Sequence, residues 1–583
     1  MSDSLIANDL ITEHIDIWTS TVKTKSASGR GSSKKIDLYG IKKLRELILE
    51  LAVRGKLVPQ DPSDEPASVL LAELTEIKNE LIKKKVLKKS KKQPPITDDE
   101  KRIDIPKGWI WSRLEDVYDV RDGTHDSPKP QFEGYPLVTS KNLSSGSLDL
   151  SDIKFISKED HLKIIERSKV DVHDILFAMI GSIGNPVIVD TDIEFSIKNV
   201  GLFKYYNLDK SCPKFLVYFL HYAAEIFKKQ SSGGVQPFVS LGKLRSFTIA
   251  FPPLPEQHRI VAKVDELMAL CDQLEQQTES QIEAQQTLVS VLLETLTTAK
   301  NHNELMQNWQ RLSEHFDTLF TTEQSIDQLK QTILQLAVMG RLVPQDPTDE
   351  PASKLLERIA VEKAQLIADK KIKKQKALPP ISDDEKPFEL PDGWEWCKFG
   401  NITICRLGKM LDQSKNIGIE RPYLRNTNVQ WNRFDLGDIK LMKIEDHERN
   451  EFRVLVGDLL ICEGGEPGRC AIWKDKSQEI YFQKALHRAR TLGNCSPEYL
   501  QLCLTIDAAI GTLDKYFTGA TIKHFVGAKL NNYIHPLPPL QEQHRIVTKV
   551  DELMAICDQL KAKLNQSQQT QLHLTDAIVE QVV

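Results

Sequence analysis

LAVRGKLVPQDPSDEPAS, residues 51–68, returns as LAVMGRLVPQDPTDEPAS, residues 336–353, and this near-verbatim return 285 residues later decides how the chain is organised. The correspondence continues through QPPITDDEKRIDIPKGWIW, residues 93–111, against LPPISDDEKPFELPDGWEW, residues 378–396. On the far side PPLPEQHRIVAKVDELMALCDQL, residues 252–274, matches PPLQEQHRIVTKVDELMAICDQL, residues 538–560, at an offset of 286. Between these flanks lie two blocks, residues 106–255 and 391–541, that share only scattered positions. A long-period repeat of this kind is one structural unit used twice, so a single frame carries two different inserts. The leading segments also correspond, TEHIDIW from Thr12 resembling SEHFDTLF from Ser313 at an offset of 301. The first copy is therefore longer by 16 residues, and the excess falls around TKSASGRGSSKK, residues 24–35, whose Gly, Ser and Lys mark a flexible linker.

Working outward, periodicity supplies the elements. Ile260, Val264, Leu267, Cys271 and Leu274 are spaced 4-3-4-3, a heptad seam, and Ile546, Val550, Leu553, Cys557, Leu560 and Leu564 repeat it. Both seams turn polar at Thr278, Gln281 and Gln285 and at Ser567 and Gln571. They become apolar again at Leu288 and Leu292 and at Leu574 and Ile578. Helices over 256–300 and 542–583 are rods of roughly 60 to 65 Å at about 1.5 Å per residue. Matching polar layers predict that the rods pair with each other; the alternative is that each packs on its own block. Within the blocks, GWIWSRLEDVYDV and DVHDILFAMIGSIGNPVIVD read as short strands broken at Gly turns. KFLVYFLHYAAEIFKKQSSGG and PEYLQLCLTIDAAIGTLDKYFTG read as amphipathic helices closed by Gly. The expected fold is α+β, with two globular domains in tandem separated by two long antiparallel helices forming a coiled coil. Residues 1–105 form an N-terminal helical frame with the linker and a basic run, 106–255 and 391–541 the two domains, 256–390 the central frame and 542–583 the last helix.

Composition narrows the chemistry. The 583 residues carry 77 Lys plus Arg against 82 Asp plus Glu, a net charge of −5, which excludes a simple polycationic nucleic-acid binder. No apolar run approaches the roughly 18 to 20 residues of a membrane span, and the N-terminus lacks a signal-peptide pattern, so a cytoplasmic protein is expected. The nine cysteines include no CxxC pair and no zinc spacing, and read as buried thiols. GSIGNP (Gly181 to Pro186) and GGEPGR (Gly464 to Arg469) lack the phosphate-cradling GxxxxGK[ST] pattern and fit hairpin turns. No GxGxxG after a strand, HExxH or GxSxG is present, and the amino-methyltransferase signature is missing, so no catalytic residue and no metal ligand is assigned. EQHR occurs twice, at Glu256, Gln257, His258, Arg259 and at Glu542, Gln543, His544, Arg545, each time opening a long helix after a Pro pair. Glutamate there serves the helix N-terminus, and the quartet is expected to meet a partner subunit.

Two unlike blocks in two near-identical frames, with the PLPPLQEQHRIV junction, LAVxGxLVPQDPxDEPAS, the PxGW opening of each block and TGATIKHF (Thr518 to Phe525), resemble the specificity subunits of type I restriction-modification enzymes over essentially the whole chain. The resemblance implies a non-catalytic, bacterial or archaeal subunit. Each block would be a target recognition domain reading one half of a bipartite site in double-stranded DNA, with the rods fixing the gap. It also implies two methyltransferase subunits docked on the frame and carrying S-adenosylmethionine, and motor-nuclease subunits using ATP and magnesium, with no cofactor in this chain. The alternative from a different class is a tandem-repeat adaptor for protein partners.

Block 106–255 holds 18 basic and 18 acidic residues and block 391–541 holds 20 and 18. Phosphate neutralisation dominates nucleic-acid affinity, so near-neutral readers need a basic partner to clamp the duplex. Base edges are read by polar side chains on loops. In the first block these are Thr124, His125, Ser127, Lys129, Thr139, Ser140, Lys141, Asn142 and Gln236. In the second they are Tyr423, Arg425, Asn426, Asn428, Gln430, Trp431, Arg433, Thr521, Lys523 and His524. The lysine runs IKKKVLKKSKK, from Ile82, and DKKIKKQK, from Asp369, read either as solvated stretches or as sequence-independent DNA or partner contacts.

Overall fold

The frame string earns its repetition by locking onto the start of the long helix that follows each block. Trp109, from the PxGW motif, donates its indole N–H to Glu256 (2.9 Å), and Gln60, from LVPQDP, donates to the other oxygen of that carboxylate (2.7 Å). Arg259 pairs with Asp64 of the same string at 2.6 Å. The second copy repeats each bond: Trp394 to Glu542 (3.0 Å), Gln345 to Glu542 (3.1 Å) and Arg545 to Asp349 (2.6 Å). Gly55 and Gly340 complete the lock with φ of +68° and +70°. A Cβ on either would stand 2.5 Å from the Cγ of Pro106 or Pro391, so the tight turn and the close approach both call for glycine.

This computed structural model describes residues 12–25, 35–90, 93–230, 237–300, 302–412 and 416–582. Most of the linker, residues 26–34, and the end of the first lysine run, residues 91–92, lie outside them. The chain divides into two units, residues 1–281 with 567–583, and residues 282–566. In the first, helix Tyr39–Val53 buries Ile41, Leu44, Leu47, Ile48 and Leu51, one apolar face at helical spacing. Its counterpart Glu323–Val338 buries Ile326, Leu329, Ile333 and Leu336 in the second.

Each block is mixed helix and sheet. In the first, an antiparallel sheet runs Tyr118–Asp122, Val200–Tyr205, Ile175–Ala178, Gly184–Ile188, with helix Pro213–Gln230 packed on it. A three-stranded sheet has Tyr135–Val138 at its centre, and Ile110–Arg113 pairs Thr248–Phe251 where the block begins and ends. The second block repeats the plan: Thr403–Leu407, Leu486–Thr491, Leu459–Cys462, Cys470–Ile472 in one sheet, Ile419–Leu424 inside another, and Glu395–Lys398 paired with Ile534–Leu537. Helix Pro497–Ala509 follows, and Gly511 takes up φ +80° just beyond it.

The long helices span Leu254–Thr298 and Leu540–Val582. The first seam is buried as its spacing predicts, from Ile260 through Val264, Leu267 and Cys271 to Leu274 and Thr278. Beyond the polar layer Ile578 is buried as expected and Leu292 is half-buried, whereas the first apolar position of each seam is corrected by one residue. Leu288 is 50% exposed and Val289 1%; Leu574 is 45% exposed and Thr575 0%. Gln281 and Ser567 are likewise exposed, and Ile282 and Gln568 take the inward positions. The cause is the mismatch between 3.5 and about 3.6 residues per turn, which rotates a strict heptad roughly 20° per repeat until the inward position advances by one. The polar layer pins the leading segments: in the second unit Gln285 donates to Thr318 O and Thr321 Oγ1 (both 2.6 Å). In the first, Thr575 bonds Thr21 (3.0 Å) and Gln571 reaches Ser20 (3.4 Å).

Candidate nucleic-acid interface

In the second block the turn 463–469, which joins strands Leu459–Cys462 and Cys470–Ile472, gathers the predicted residues. A Cβ on Gly464 would stand 3.1 Å from the His524 ring, and one on Gly465, whose φ is +82°, 3.1 Å from the Asn426 amide. Arg469 donates to Asn426 O (2.9 Å), and Trp431 donates its indole N–H to Glu466 (2.7 Å). The segment Thr518–His524 closes on itself through paired backbone bonds of 2.9 and 2.8 Å, and Phe525 N–H donates to Glu463 O (2.7 Å). His487, its pKa lowered by burial, donates to Phe525 O (2.9 Å) from beneath. Asn426, Trp431 and His524 thus converge on one exposed turn. Thr521 and Lys523 sit exposed in the same small hairpin, Lys523 paired with Asp514 at 2.6 Å. Gln430, half-buried, donates to Thr427 O (2.9 Å), and Arg433 is exposed.

The hairpin bearing this turn is anchored from below by Asp458. Its carboxylate accepts the Leu455 N–H (2.7 Å) and two bonds from Arg490 (2.7 Å each). Asp174 does the same work in the first block, accepting from Asp171 N–H (2.7 Å) and pairing with Lys204. There the corresponding turn, 181–184, is tied to the segment after the block helix by Gly181 N–H to Pro237 O (3.1 Å) and Val239 N–H to Met179 O (2.9 Å). The loop that follows Tyr118–Asp122 forms a second group: His125 sits 2.9 Å from Asn199 and 3.2 Å from Asp122, Lys198 donates to Ser127, and Thr124 accepts the Asp126 N–H. Lys129 and Lys141 are exposed and Ser140 partly so. Phe132, fully exposed on this loop, had no polar signal to bring it forward.

Several predicted readers are corrected. Asn142 and Asn428 are buried, and their amides are spent on their own loops. Each oxygen accepts the backbone N–H three residues back (Thr139, Arg425; 2.9 Å each), and each NH2 donates to the carbonyl of Asp149 or Asp435 (2.9 Å). These two are loop braces, and Thr139 is the cap that Asn142 holds, as Arg425 is for Asn428. The signal for this was the shared string DLSDIK, from Asp149, and DLGDIK, from Asp435, seven residues beyond each Asn. Tyr423, 5% exposed, lies in the interior of the second block because its strand is paired on both sides. Arg425 turns back to Asp438 at 2.6 Å. Gln236 lies outside the described residues.

The EQHR expectation is corrected too. Glu256, Gln257, Glu542 and Gln543 are 0–1% exposed inside their own units, and Arg259 and Arg545 are held by Asp64 and Asp349. Only His258 and His544 face outward. Burial raises the pKa of Glu256 and Glu542, against the stabilising bonds from Trp and Gln. Among the described residues no group of three His, Cys, Asp or Glu stands where it could hold a metal, and no helix is long and apolar enough to cross a membrane.

The family described as "Type I restriction modification DNA specificity domain" matches residues 106–284 and 391–567. The chain is 41% identical to the EcoAI type I restriction enzyme specificity subunit of Escherichia coli, over 98% of this chain and 99% of that protein. It is 38% identical to the EcoEI specificity subunit, also of Escherichia coli, over 98% of each. Among solved structures, the HsdS subunit from Thermoanaerobacter tengcongensis aligns with 83% of this chain and 98% of its own, at 18% identity and a TM-score of 0.42.

Proposed function

The chain belongs to the type I restriction-modification DNA specificity family, and from that premise we propose how its parts divide the work of recognition. It is a specificity subunit, a non-catalytic one, and its two matched domains are target recognition domains. Residues 106–255 read one half of a bipartite duplex site and residues 391–541 the other. Residues 1–105, 256–390 and 542–583 make the frame that sets the gap and docks two methyltransferase subunits, with motor-nuclease subunits joining the complex in the cytoplasm. Those partners bring S-adenosylmethionine, ATP and magnesium. The protein-adaptor alternative falls with the family assignment.

The observation that carries this reading is the duplicated lock. Identical Trp–Glu–Gln and Arg–Asp bonds seat two blocks whose exposed turns differ in every polar residue, GSIGNP against GGEPGR. A constant mount with variable tips is what a two-part reader needs. In this reading the two long helices pair as an antiparallel coiled coil; each is also tied to the frame helix of its own unit, by Arg45 to Asp272 in one and by Lys330 to Asp558 in the other, 285 and 286 residues on. Of the polar residues predicted to read bases, His125, Ser127, Lys129, Ser140, Lys141, Asn426, Gln430, Arg433, Thr521, Lys523 and His524 remain as readers; Thr124 shapes its loop and Trp431 supports the turn. Replacing residues 391–541 with the equivalent block of another member, in the full assembly, changes one half of the methylated motif and leaves the other half and the gap intact. Loss of both halves, with the subunits still assembled, would contradict the division of labour.

A further inference from the structure

Glu466 is out of place on a surface that meets a polyanion. It stands exposed on the turn 463–469, beside Asn426, Trp431 and His524, side chains that carry N–H groups. A carboxylate there repels phosphate, so its use lies elsewhere. It is also held still. One oxygen accepts the Trp431 indole N–H at 2.7 Å and the other accepts from Arg469 at 2.9 Å, while Arg469 itself is fixed to Asn426 O. The Trp431 ring packs on the apolar core of the block, so the carboxylate stands on a rigid base. The Glu466 side chain is still 53% exposed. With about four lone-pair sites and two in use, it has acceptor capacity pointing outward.

Resting on the recognition-domain reading above, we infer that Glu466 is a specificity-determining residue of the second half-site and that it accepts a hydrogen bond from the N4 amino group of a cytosine in the major groove. The choice of base follows from groove chemistry. A carboxylate can only accept. Guanine shows it two acceptors, thymine shows O4, and adenine sets the acceptor N7 beside its N6 amino group; cytosine alone offers an amino donor with no acceptor of its own next to it. The corresponding turn of the first block has exposed Ser182 in this region and no acid, so the requirement belongs to the second half-site.

The test uses the full chain assembled with its methyltransferase partner, carrying Glu466→Gln, Glu466→Ala or Trp431→Phe, read by methylation mapping and by binding to cognate and unrelated duplexes. Both Glu466 variants lose about 5- to 150-fold discrimination for cytosine at one position of the second half. They leave the first half untouched and bind unrelated DNA at least as tightly as the wild type. Trp431→Phe, which loosens the carboxylate without removing it, gives a smaller loss at that same position. A second half-site without a G·C pair overturns the inference, as does unchanged discrimination in Glu466→Ala. Equal weakening on every sequence, with an unaltered melting temperature, makes Glu466 a brace and overturns it as well. A wild-type assembly with no chain-dependent motif would instead defeat the recognition-domain reading itself.

Discussion

At the scale of single residues, Glu256 and Glu542 carry the frame. Each buried carboxylate depends on a tryptophan N–H and a glutamine NH2 arriving from distant sequence. Removing one donor leaves a buried acceptor short, which costs about 1–3 kcal/mol. Trp109→Phe, which keeps the ring's packing, is expected to destabilise the first unit by that amount in chemical denaturation. The pH dependence has a definite sign. Burial raises both carboxyl pKa values in the folded state, so their contribution is full below the ordinary carboxylate range and is lost as pH rises through the raised value. Glu542→Gln therefore loses least against the wild type at the upper end of that window; a difference that grew with pH would contradict the assignment. Sequence alone led to the partner-facing reading of EQHR because a charged quartet opening a helix looks solvated. Its burial depends on residues 147 and 196 positions away, which no local pattern encodes. Asn142 and Asn428 were misread for the same reason: their loops are polar and turn-rich, as readers are, and only the DLxD strings following both tell brace from reader.

At the scale of elements, periodicity was legible and its phase was not. The seams from Ile260 to Leu274 and from Ile546 to Cys557 lie inward as a heptad requires. The drift of a straight helix past the polar layer then moves the inward position from Leu288 to Val289 and from Leu574 to Thr575, a shift that accumulates over several turns. Val289→Asp places an unpaired charge in the cluster of Leu293, Leu296 and Leu329 and is expected to cost several kcal/mol. Leu288→Asp, one residue earlier, is expected to stay within about 0.5 kcal/mol of the wild type. Urea denaturation of the two variants separates them; equal costs would restore the strict heptad. The strands and helices of the blocks were readable because alternation and Gly-closed helices are local signals. Which loops meet was not, since Gly464 and Gly465 approach His524 and Asn426 only after the sheets have formed.

At the scale of the whole molecule, the repeat is the message. Two copies of a frame that locks onto itself carry two blocks whose fold is shared and whose surface turns are not. Family membership gives that arrangement its purpose, reading two halves of one DNA site. The measurement that tests this most directly is a methylation map of DNA from cells expressing the chain with its methyltransferase partner, against cells lacking this chain alone. The account predicts a two-part motif with a fixed gap that disappears when the chain is absent. A motif that persists without the chain, or none at all with both proteins present and assembled, would contradict it.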